Sequence, residues 1–194
     1  MKQGMSRTKR YVFIALGLVC LCIALAAVVL PHCIKFAARP WQEECVTNLK
    51  SLFTQLKIAP QPPPGSELTF SQIGFSPERD NRYSYFMAAG PMEDRSLVEP
   101  QGSENARAIG VDTFKFPELR VYTLDDIPRE LASQVGVTGT WPNLDFVAVC
   151  VGQAGKDPKA APEVWSVASR DRTLDGELVA SGEPYRHAGG PPKH

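Results

Sequence analysis

The sequence is poor in the residues and motifs that usually carry catalysis or metal binding. Its 194 residues include three histidines, and they contain no H-E-x-x-H, G-x-S-x-G or phosphate-loop pattern. The five cysteines show neither C-x-x-C nor zinc-ligand spacing. We therefore predict that the chain is not an enzyme and that it uses no metal and no cofactor.

The chain also has no formal net charge at pH 7. Lysine and arginine total 21, and aspartate and glutamate also total 21, so the formal charge is zero. A neutral chain gives no electrostatic reason to bind nucleic acid, and we predict no nucleic-acid partner. The carboxylates of Asp125–Asp126 and of the Glu78–Arg79–Asp80 cluster are best explained as a helix cap and as solvated turn charges.

One long apolar run interrupts this otherwise mixed composition. Residues 11–30 read YVFIALGLVCLCIALAAVVL and contain no charged side chain. About 20 apolar residues at about 1.5 Å rise match the roughly 30 Å hydrocarbon core of a bilayer. The run is preceded by the basic residues Lys2, Arg7, Lys9 and Arg10. By the positive-inside rule, this predicts a single-pass protein in contact with membrane lipid, with residues 1–10 in the cytoplasm.

Two other interpretations of the apolar run fit less well. A cleaved signal peptide has a shorter apolar core and a small-x-small cleavage site, and the following VVLPHCIKF offers none. A lipoprotein signal needs a small residue before the modified cysteine, whereas His32 precedes Cys33 and Val19 precedes Cys20. We therefore predict a retained anchor with the remaining chain outside the cytoplasm.

A second, one-sided helix is predicted over residues 31–58. Pro31 should kink or end the membrane helix, because proline lacks an N–H and clashes with the preceding turn. An apolar stripe then recurs with helical period at Cys45, Leu49, Leu52, Phe53 and Leu56. Such a stripe packs either on its own domain or on neighbouring subunits, and we expect it to face its own sheet, since an uncovered apolar face is unstable.

The cysteines differ by location. Cys20 and Cys22 lie inside the apolar run, where they serve most simply as small apolar residues. Cys45 and Cys150 belong to the part predicted to be extracytoplasmic, where oxidation is permitted. They form either a disulfide or two separate buried thiols, because spacing alone does not fix the pairing.

Residues 59–188 are predicted to form an α+β headpiece. Apolar, β-branched or aromatic runs of strand length occur at residues 82–87, 108–112, 119–124, 146–152 and 164–168, separated by turn signals. A short helix is predicted at residues 126–134, with Asp125 or Asp126 as its cap. The tail, residues 189–194, reads GGPPKH and is predicted to be disordered.

The sequence around the two helices resembles the N-terminal helix of type IV pilins. That family has an apolar run ending in proline, an F-I-K-F-x-A-R-like stretch and an E-A-x-x-N-L-K-x-L-F-T-x-x-K-like amphipathic half. The matching residues are Pro31, Ile34, Lys35, Phe36, Ala38, Arg39, Glu44, Asn48, Leu49, Lys50, Leu52, Phe53, Thr54 and Lys57. Residues 68–86, 146–152 and 163–185 are also similar, in the same order, to later segments of one bacterial subgroup of pilins.

The resemblance implies a fold, a location and partners. The fold is a long N-terminal helix, half membrane-spanning and half amphipathic, packed on a small antiparallel sheet. The location is the bacterial cytoplasmic membrane, with the headpiece periplasmic or extracellular. The partners are other pilin subunits or pilus assembly proteins.

Two departures from the pilin pattern change the expected role. Pilin precursors are cut after a glycine and carry a glutamate inside the apolar run, and the equivalent positions here are Lys9–Arg10 and Ile14. In addition, GQAGKDPKAAPEVW stands where related pilins often have an acidic loop, and it has too few oxygen ligands for calcium. We expect a minor or atypical pilus component, or alternatively a signal-anchored binding or sensory module that does not polymerise.

Overall fold

A computed structural model describes residues 19–20, 40–62, 66–153 and 161–187 of the chain. Pro31, residues 1–10, all of residues 11–30 except the helical Val19 and Cys20, and the tail from residue 189 lie outside these ranges. The predictions made for them therefore stay predictions. Among the described residues no helix combines the length and the apolarity that a membrane span requires.

The described residues within the compact unit Trp41–His194 form an α+β fold, as predicted. Its helices are α1 (Pro40–Lys57), α2 (Phe70–Ile73) and α3 (Arg129–Ala132), with 3-10 turns at Ser103–Asn105 and Leu124–Asp126. Its strands are β1 (Tyr83–Phe86), β2 (Met92–Glu93), β3 (Ala108–Ile109), β4 (Gly136–Thr140), β5 (Asn143–Gly152), β6 (Glu163–Ala168), β7 (Arg172–Leu174), β8 (Glu177–Val179) and β9 (Tyr185–His187).

Helix α1 is 18 residues long and carries its own sequence signals at both ends. Proline suits the first turn of a helix because its missing N–H has no intrahelical partner there. Glu43 in the first turn and Lys57 in the last turn complement the helix dipole. The proline-rich segment that begins at Pro60 prevents the helix from continuing. The observed helix therefore agrees with the predicted range from residue 40 to residue 57, and residues 31–39 lie outside the described part of the chain.

Strand β5 is the centre of a seven-stranded sheet with the order β2-β3-β1-β5-β6-β9. All of these neighbours pair antiparallel except β2 with β3. Strand β5 is 10 residues long, so one of its edges pairs with two strands. Strand β4 pairs with residues 143–147 and β1 pairs with residues 149–152. Strands β7 and β8 form a separate hairpin.

The two faces of β5 belong to two different hydrophobic cores. Phe146, Ala148 and Cys150 lie in the core beneath α1, whereas Val149 and Val151 lie in a second core on the other face. Successive strand residues point to opposite faces, so a strand covered on both sides is apolar throughout. The continuous FVAVCV run therefore results from burial on both sides.

The close contact between β1 and β5 also depends on a glycine. Gly152 lies opposite Tyr83 in the register, and a Cβ atom at this position would sit 2.5 Å from the carbonyl oxygen of Arg82. No other residue type avoids this clash, because every other side chain has a Cβ.

The predicted strands agree with the structure at four positions and fail at one. Residues 146–152 and 164–168 are confirmed within β5 and β6, and residues 82–87 and 108–112 contain the shorter β1 and β3. The strand predicted at residues 119–124 is wrong. That segment is a turn-rich loop, and its apolar residues Leu119 and Tyr122 are buried because the loop covers the second core.

The remaining differences concern short elements. The helix predicted at residues 126–134 contracts to α3, which begins after Pro128. The prediction omitted α2, β2, β4, the β7–β8 hairpin and β9, because elements this short, or with glycine, arginine or exposed polar residues, give weak periodicity.

Removing one buried side chain from the stripe should destabilise the headpiece. Leu52 is fully buried in the core beneath α1, so Leu52→Ala is expected to lower the free energy of unfolding by about 2–5 kcal/mol. The neighbouring Ser51 is exposed, and Ser51→Ala should change it by less than about 0.5 kcal/mol. Urea unfolding of the full chain in detergent measures both, and equal effects would contradict the packing described here.

Candidate functional site

Five of the six predicted packing residues lie where α1 meets the sheet, and the sixth, Pro31, lies outside the described residues. Cys45, Leu49, Leu52 and Leu56 are buried, and Phe53 is partly buried against the same core. The rings of Phe53 and Phe146 have centres 5.6 Å apart, which is a normal distance for a stabilising aromatic pair. Because the stripe is covered by the chain's own sheet, it offers little apolar surface to a neighbour.

A disulfide joins the helix to the centre of the sheet. Cys45 on α1 and Cys150 on β5 are bonded in the structure, with Cα atoms 6.3 Å apart and a sequence separation of 105. Both residues are fully buried. Cys20, in contrast, is an exposed free thiol. The bond closes a long loop that contains most of the sheet, so it restricts the unfolded chain strongly.

A carboxylate lies beside this disulfide at the start of α1. The backbone N–H of Arg82 donates to both carboxylate oxygens of Glu44 at 3.1 Å, and the Tyr85 hydroxyl donates to Glu44 Oε1 at 2.9 Å. The Asn48 side-chain amide donates in turn to the Tyr85 oxygen at 2.7 Å. Burial raises the pKa of Glu44 to about 7, and the hydrogen bonds to its carboxylate reduce that rise.

Two ion pairs hold the loops at the β2 edge of the sheet. Arg95 is buried, donates from Nε to Glu93 Oε1 at 2.6 Å, and donates from its terminal nitrogen to Asn81 Oδ1 at 2.8 Å. Arg79 donates two hydrogen bonds to the buried carboxylate of Asp112, at 2.7 and 3.0 Å.

The Asp112 carboxylate is a strong acceptor. Burial alone would raise the pKa of Asp112, but hydrogen bonds from Arg79 and from the backbone N–H groups of Asp80 and Lys115 outweigh burial and lower it to about 2. The prediction that Arg79 is only a solvated turn charge is therefore wrong. Sequence gave no signal for its partner, which is 33 positions away.

In the other acidic pair singled out from the sequence, Asp125–Asp126, the Asp126 carboxylate contacts residues close to it in the chain. Asp126 accepts a hydrogen bond from the backbone N–H of Thr123 at 2.8 Å and pairs with Arg120 at 2.7 Å. Thr123 and Asp126 form a reciprocal capping box around the 3-10 turn. The predicted cap is therefore wrong: the N-cap residue of α3 is Pro128, and Asp126 instead serves as the third residue of the 3-10 turn that Thr123 caps.

A serine–histidine contact occurs between β6 and β9. Ser166 Oγ lies 2.8 Å from His187 Nε2, and Arg172 donates to the same oxygen at 2.8 Å. Burial and the Arg172 charge lower the pKa of His187. Ser166 is fully buried, so its hydroxyl does not meet a substrate in this conformation. No local pattern predicts this contact, because the two residues are 21 positions apart in the chain.

No cluster of three or more histidine, cysteine or carboxylate side chains with metal-binding geometry occurs in the described part of the chain. Residues 154–160 of the loop predicted to lack calcium fall outside that part, so the prediction stays open.

The described side chains define a class of protein before any comparison. A helix is fixed on an antiparallel sheet by a stripe, a disulfide and a hydrogen-bonded carboxylate, and all of these serve packing. The class that these contacts define is an α+β domain whose amphipathic helix α1 is fixed on an antiparallel-rich sheet.

Comparison with known proteins gives the family. The family described as Type IV pilin PilA matches residues 36–161. The chain is also 33% identical over 184 aligned residues to the Type IV major pilin protein PilA of Myxococcus xanthus (strain DK1622), covering 83% of this chain and 82% of the relative. The chain belongs to the type IV pilin family, whose members are structural subunits.

The position of Glu44 predicts a pH-dependent stability. Because folding raises the pKa of this acid from 4.5 to about 7, the folded state holds the proton more tightly than the unfolded state. The stabilising contribution is complete below about pH 4.5 and is lost as the pH rises to about 7. Between pH 5 and pH 8 the free energy of unfolding should fall by about 2–3 kcal/mol on this account.

The matched variants for this test are Glu44→Gln and Glu43→Gln, measured by urea unfolding of the full chain at both pH values. Glu44→Gln should remove most of the pH slope, since an amide does not titrate. Glu43 is exposed, and Glu43→Gln should keep the wild-type slope. Equal slopes in all proteins would show that Glu44 is not the titrating group.

The disulfide should contribute to the stability of the headpiece through its long loop. Reduction, or the double substitution Cys45→Ala with Cys150→Ala, is expected to lower the free energy of unfolding by about 2–5 kcal/mol. Cys20→Ala is the control, because this exposed thiol has no partner in the described residues. An unchanged denaturation midpoint under reducing conditions would contradict the expectation.

Proposed function

We propose that the chain is a structural subunit of a type IV pilus, or of a related secretion or motility machine, anchored in the bacterial cytoplasmic membrane by residues 11–30. The observation that carries this proposal is the family match over most of the headpiece and the amphipathic helix. The relative from Myxococcus xanthus is described as a major pilin, and this supports a filament role for the present chain.

The packing of α1 indicates which part of the chain would join neighbouring subunits. Its apolar stripe is used internally, whereas its outer face presents the exposed side chains of Thr47, Lys50, Ser51 and Thr54. This polar outer face gives little hydrophobic drive for lateral packing. Apolar association between subunits would therefore fall to residues 11–30, and Pro31 would redirect the helix at their end.

The proposed role is that of a minor or atypical subunit. An intramembrane carboxylate costs about 2.5–3.5 kcal/mol on insertion scales and is retained where it has a partner, such as the N-terminal amine of a neighbouring subunit. Ile14 occupies the equivalent position here, and Lys9–Arg10 occupies the expected processing site. The apolar run is consequently a better membrane anchor and a weaker filament core.

The first measurement is the intact mass of the chain in isolated membranes, combined with immunoblotting of filaments sheared from the cell surface. We expect the unprocessed mass of 21.3 kDa in membranes and a small amount of the same chain in the sheared fraction. An abundant, shortened chain in filaments would overturn the atypical role and indicate an ordinary major subunit. A full-length chain absent from the filaments of piliated cells would overturn the filament role and favour the binding or sensory module.

Two variants test the argument about the missing carboxylate directly. Ile14→Glu should increase the proportion of chain in the sheared fraction if the carboxylate limits assembly. Val19→Glu is the matched control, because it adds the same charge to the apolar run at another position. Equal behaviour of the two variants would show that charge at position 14 has no special role.

A further inference from the structure

A cationic cavity of about 270 Å³ lies at the C-terminal end of α1, and Lys57, Asn143 and Arg170 are among the residues that line it. The Lys57 ammonium lies 5.6 and 5.9 Å from the ring centres of Phe53 and Phe146. It donates to the Ser169 carbonyl at 3.4 Å. Among the residues that the structure describes, no carboxylate approaches Lys57 within the 4.0 Å of an ion pair.

The second cation of the cavity also has unused donors. Arg170 pairs through Nε with Asp145 Oδ2 at 3.1 Å, and its terminal amino groups make no hydrogen bond to any residue of the described ranges. Two cations and one carboxylate therefore leave a net positive charge. Free guanidinium donors favour a carboxylate as the missing partner, because the two groups match geometrically.

Apolar surface adjoins this cavity. Ile58, which follows Lys57 directly, is 71% exposed, and Trp141, which precedes the cavity residue Pro142, is 48% exposed. The Trp141 indole N–H donates to the Ala59 carbonyl at 3.0 Å, so the ring is held beside the end of α1. Positive charge and apolar surface thus lie together at this end of the headpiece.

A second exposed surface carries the complementary features. Residues 96–102 form a loop that is exposed throughout, with Leu97 50% and Val98 69% exposed, followed directly by Glu99. Glu99 forms no ion pair with any described residue. The loop is held in place, because the Arg79 guanidinium donates to the carbonyls of Leu97 at 3.0 Å and Val98 at 2.6 Å.

The charge and the apolar area of this second surface extend beyond the loop. Asp94 is exposed at its start, and Phe114 beside it is 46% exposed. Lys115 is the opposing charge, with its ammonium 6.0 Å from the Phe114 ring centre. The surface therefore combines apolar side chains with a small excess of negative charge.

The two surfaces lie towards opposite ends of the headpiece along α1. The loop contacts Arg79, which pairs with Asp112, and Asp112 is hydrogen-bonded to the backbone of Asp80 and Asn81 just before β1. The next residue, Arg82, donates its backbone N–H to Glu44 near the beginning of α1. The cavity is at Lys57, on the last turn of the same helix. These two helix positions are separated by about 20 Å at 1.5 Å rise per residue.

We propose that residues 96–102 of one copy dock on the Lys57–Arg170 cavity of a second copy. Glu99 enters between the two cations, while Leu97 and Val98 cover Ile58 and Trp141. The occupant is a second copy because a chain of zero net charge carries both complementary surfaces. Unlike surfaces at opposite ends make a heterologous contact, which repeats along an open filament. The proposal rests on the proposed function and names the headpiece contact within it.

A cysteine pair tests the contact in the full chain in its own membranes. Val98→Cys combined with Ile58→Cys should give a ladder of disulfide-linked multimers under mild oxidation. Val98→Cys combined with Leu178→Cys is the matched control, because Leu178 is also 71% exposed but lies on the β8 hairpin. Each single variant measures crosslinking through the native cysteines Cys20, Cys22 and Cys33.

A charge exchange tests the electrostatic part of the contact. Glu99→Lys and Arg170→Glu should each lower the yield of sheared filaments by about tenfold, because each sets like charges against one another. Their combination in one chain should restore part of the yield, because the exchanged pair attracts again while Lys57 and Asp145 keep their original charges. Arg129→Glu and Glu130→Lys, on exposed positions of α3, should leave it unchanged.

The outcomes separate this contact from the filament role. Filaments with the specific ladder and with rescue support the contact, whereas filaments without them overturn the contact and leave the subunit role intact. A specific crosslink without filaments in the unsubstituted protein overturns the filament role and retains the contact as one between neighbouring copies in the membrane. Neither a crosslink nor filaments would overturn both.

Discussion

The headpiece depends on the burial of one face of α1 against β5 and β1. Leu49, Leu52 and Leu56 are fully buried there, and the Cys45–Cys150 disulfide fixes the helix to the strand at the middle of the sheet. Without α1, the helix-facing side of the central strands would be exposed to water. Because β5 pairs with β1, β4 and β6, a shift of the helix would disturb most of the sheet.

This packing explains why an acidic side chain is tolerated beside the disulfide. Glu44 is placed by the helix where the backbone N–H of Arg82 and the hydroxyl of Tyr85 converge on its carboxylate. The hydrogen bonds compensate only part of the cost of burial, which is why the pKa of Glu44 is raised. Asp112 shows the opposite balance, since the guanidinium of Arg79 and two backbone donors more than compensate its burial. Similar residues thus acquire different acidities from their partners.

The distribution of apolar surface indicates that different parts of the chain stabilise the subunit and join it to its neighbours. The stripe of α1 stabilises the subunit itself, and its polar outer face contributes little to association. Association in the proposed filament is then left to the apolar run of residues 11–30 and to the ends of the headpiece. In the headpiece, Glu99 and Lys57 lack ionic partners among the described residues, so opposite charges remain available to a neighbouring copy. Ile14 in place of a carboxylate would weaken the association through residues 11–30, so the contacts between headpieces would matter more.

Local pattern in the sequence determined the α+β class, the extent of α1 up to Lys57, the identity of its buried stripe and the central strands β5 and β6. These follow from helical period, from proline positions and from continuous apolar runs, which need no knowledge of distant residues. The tertiary structure alone decided that residues 119–124 form a covering loop, that Arg79 pairs with Asp112, and that His187 contacts Ser166. Each of these joins positions far apart in the chain, and their pairing depends on which elements pack together.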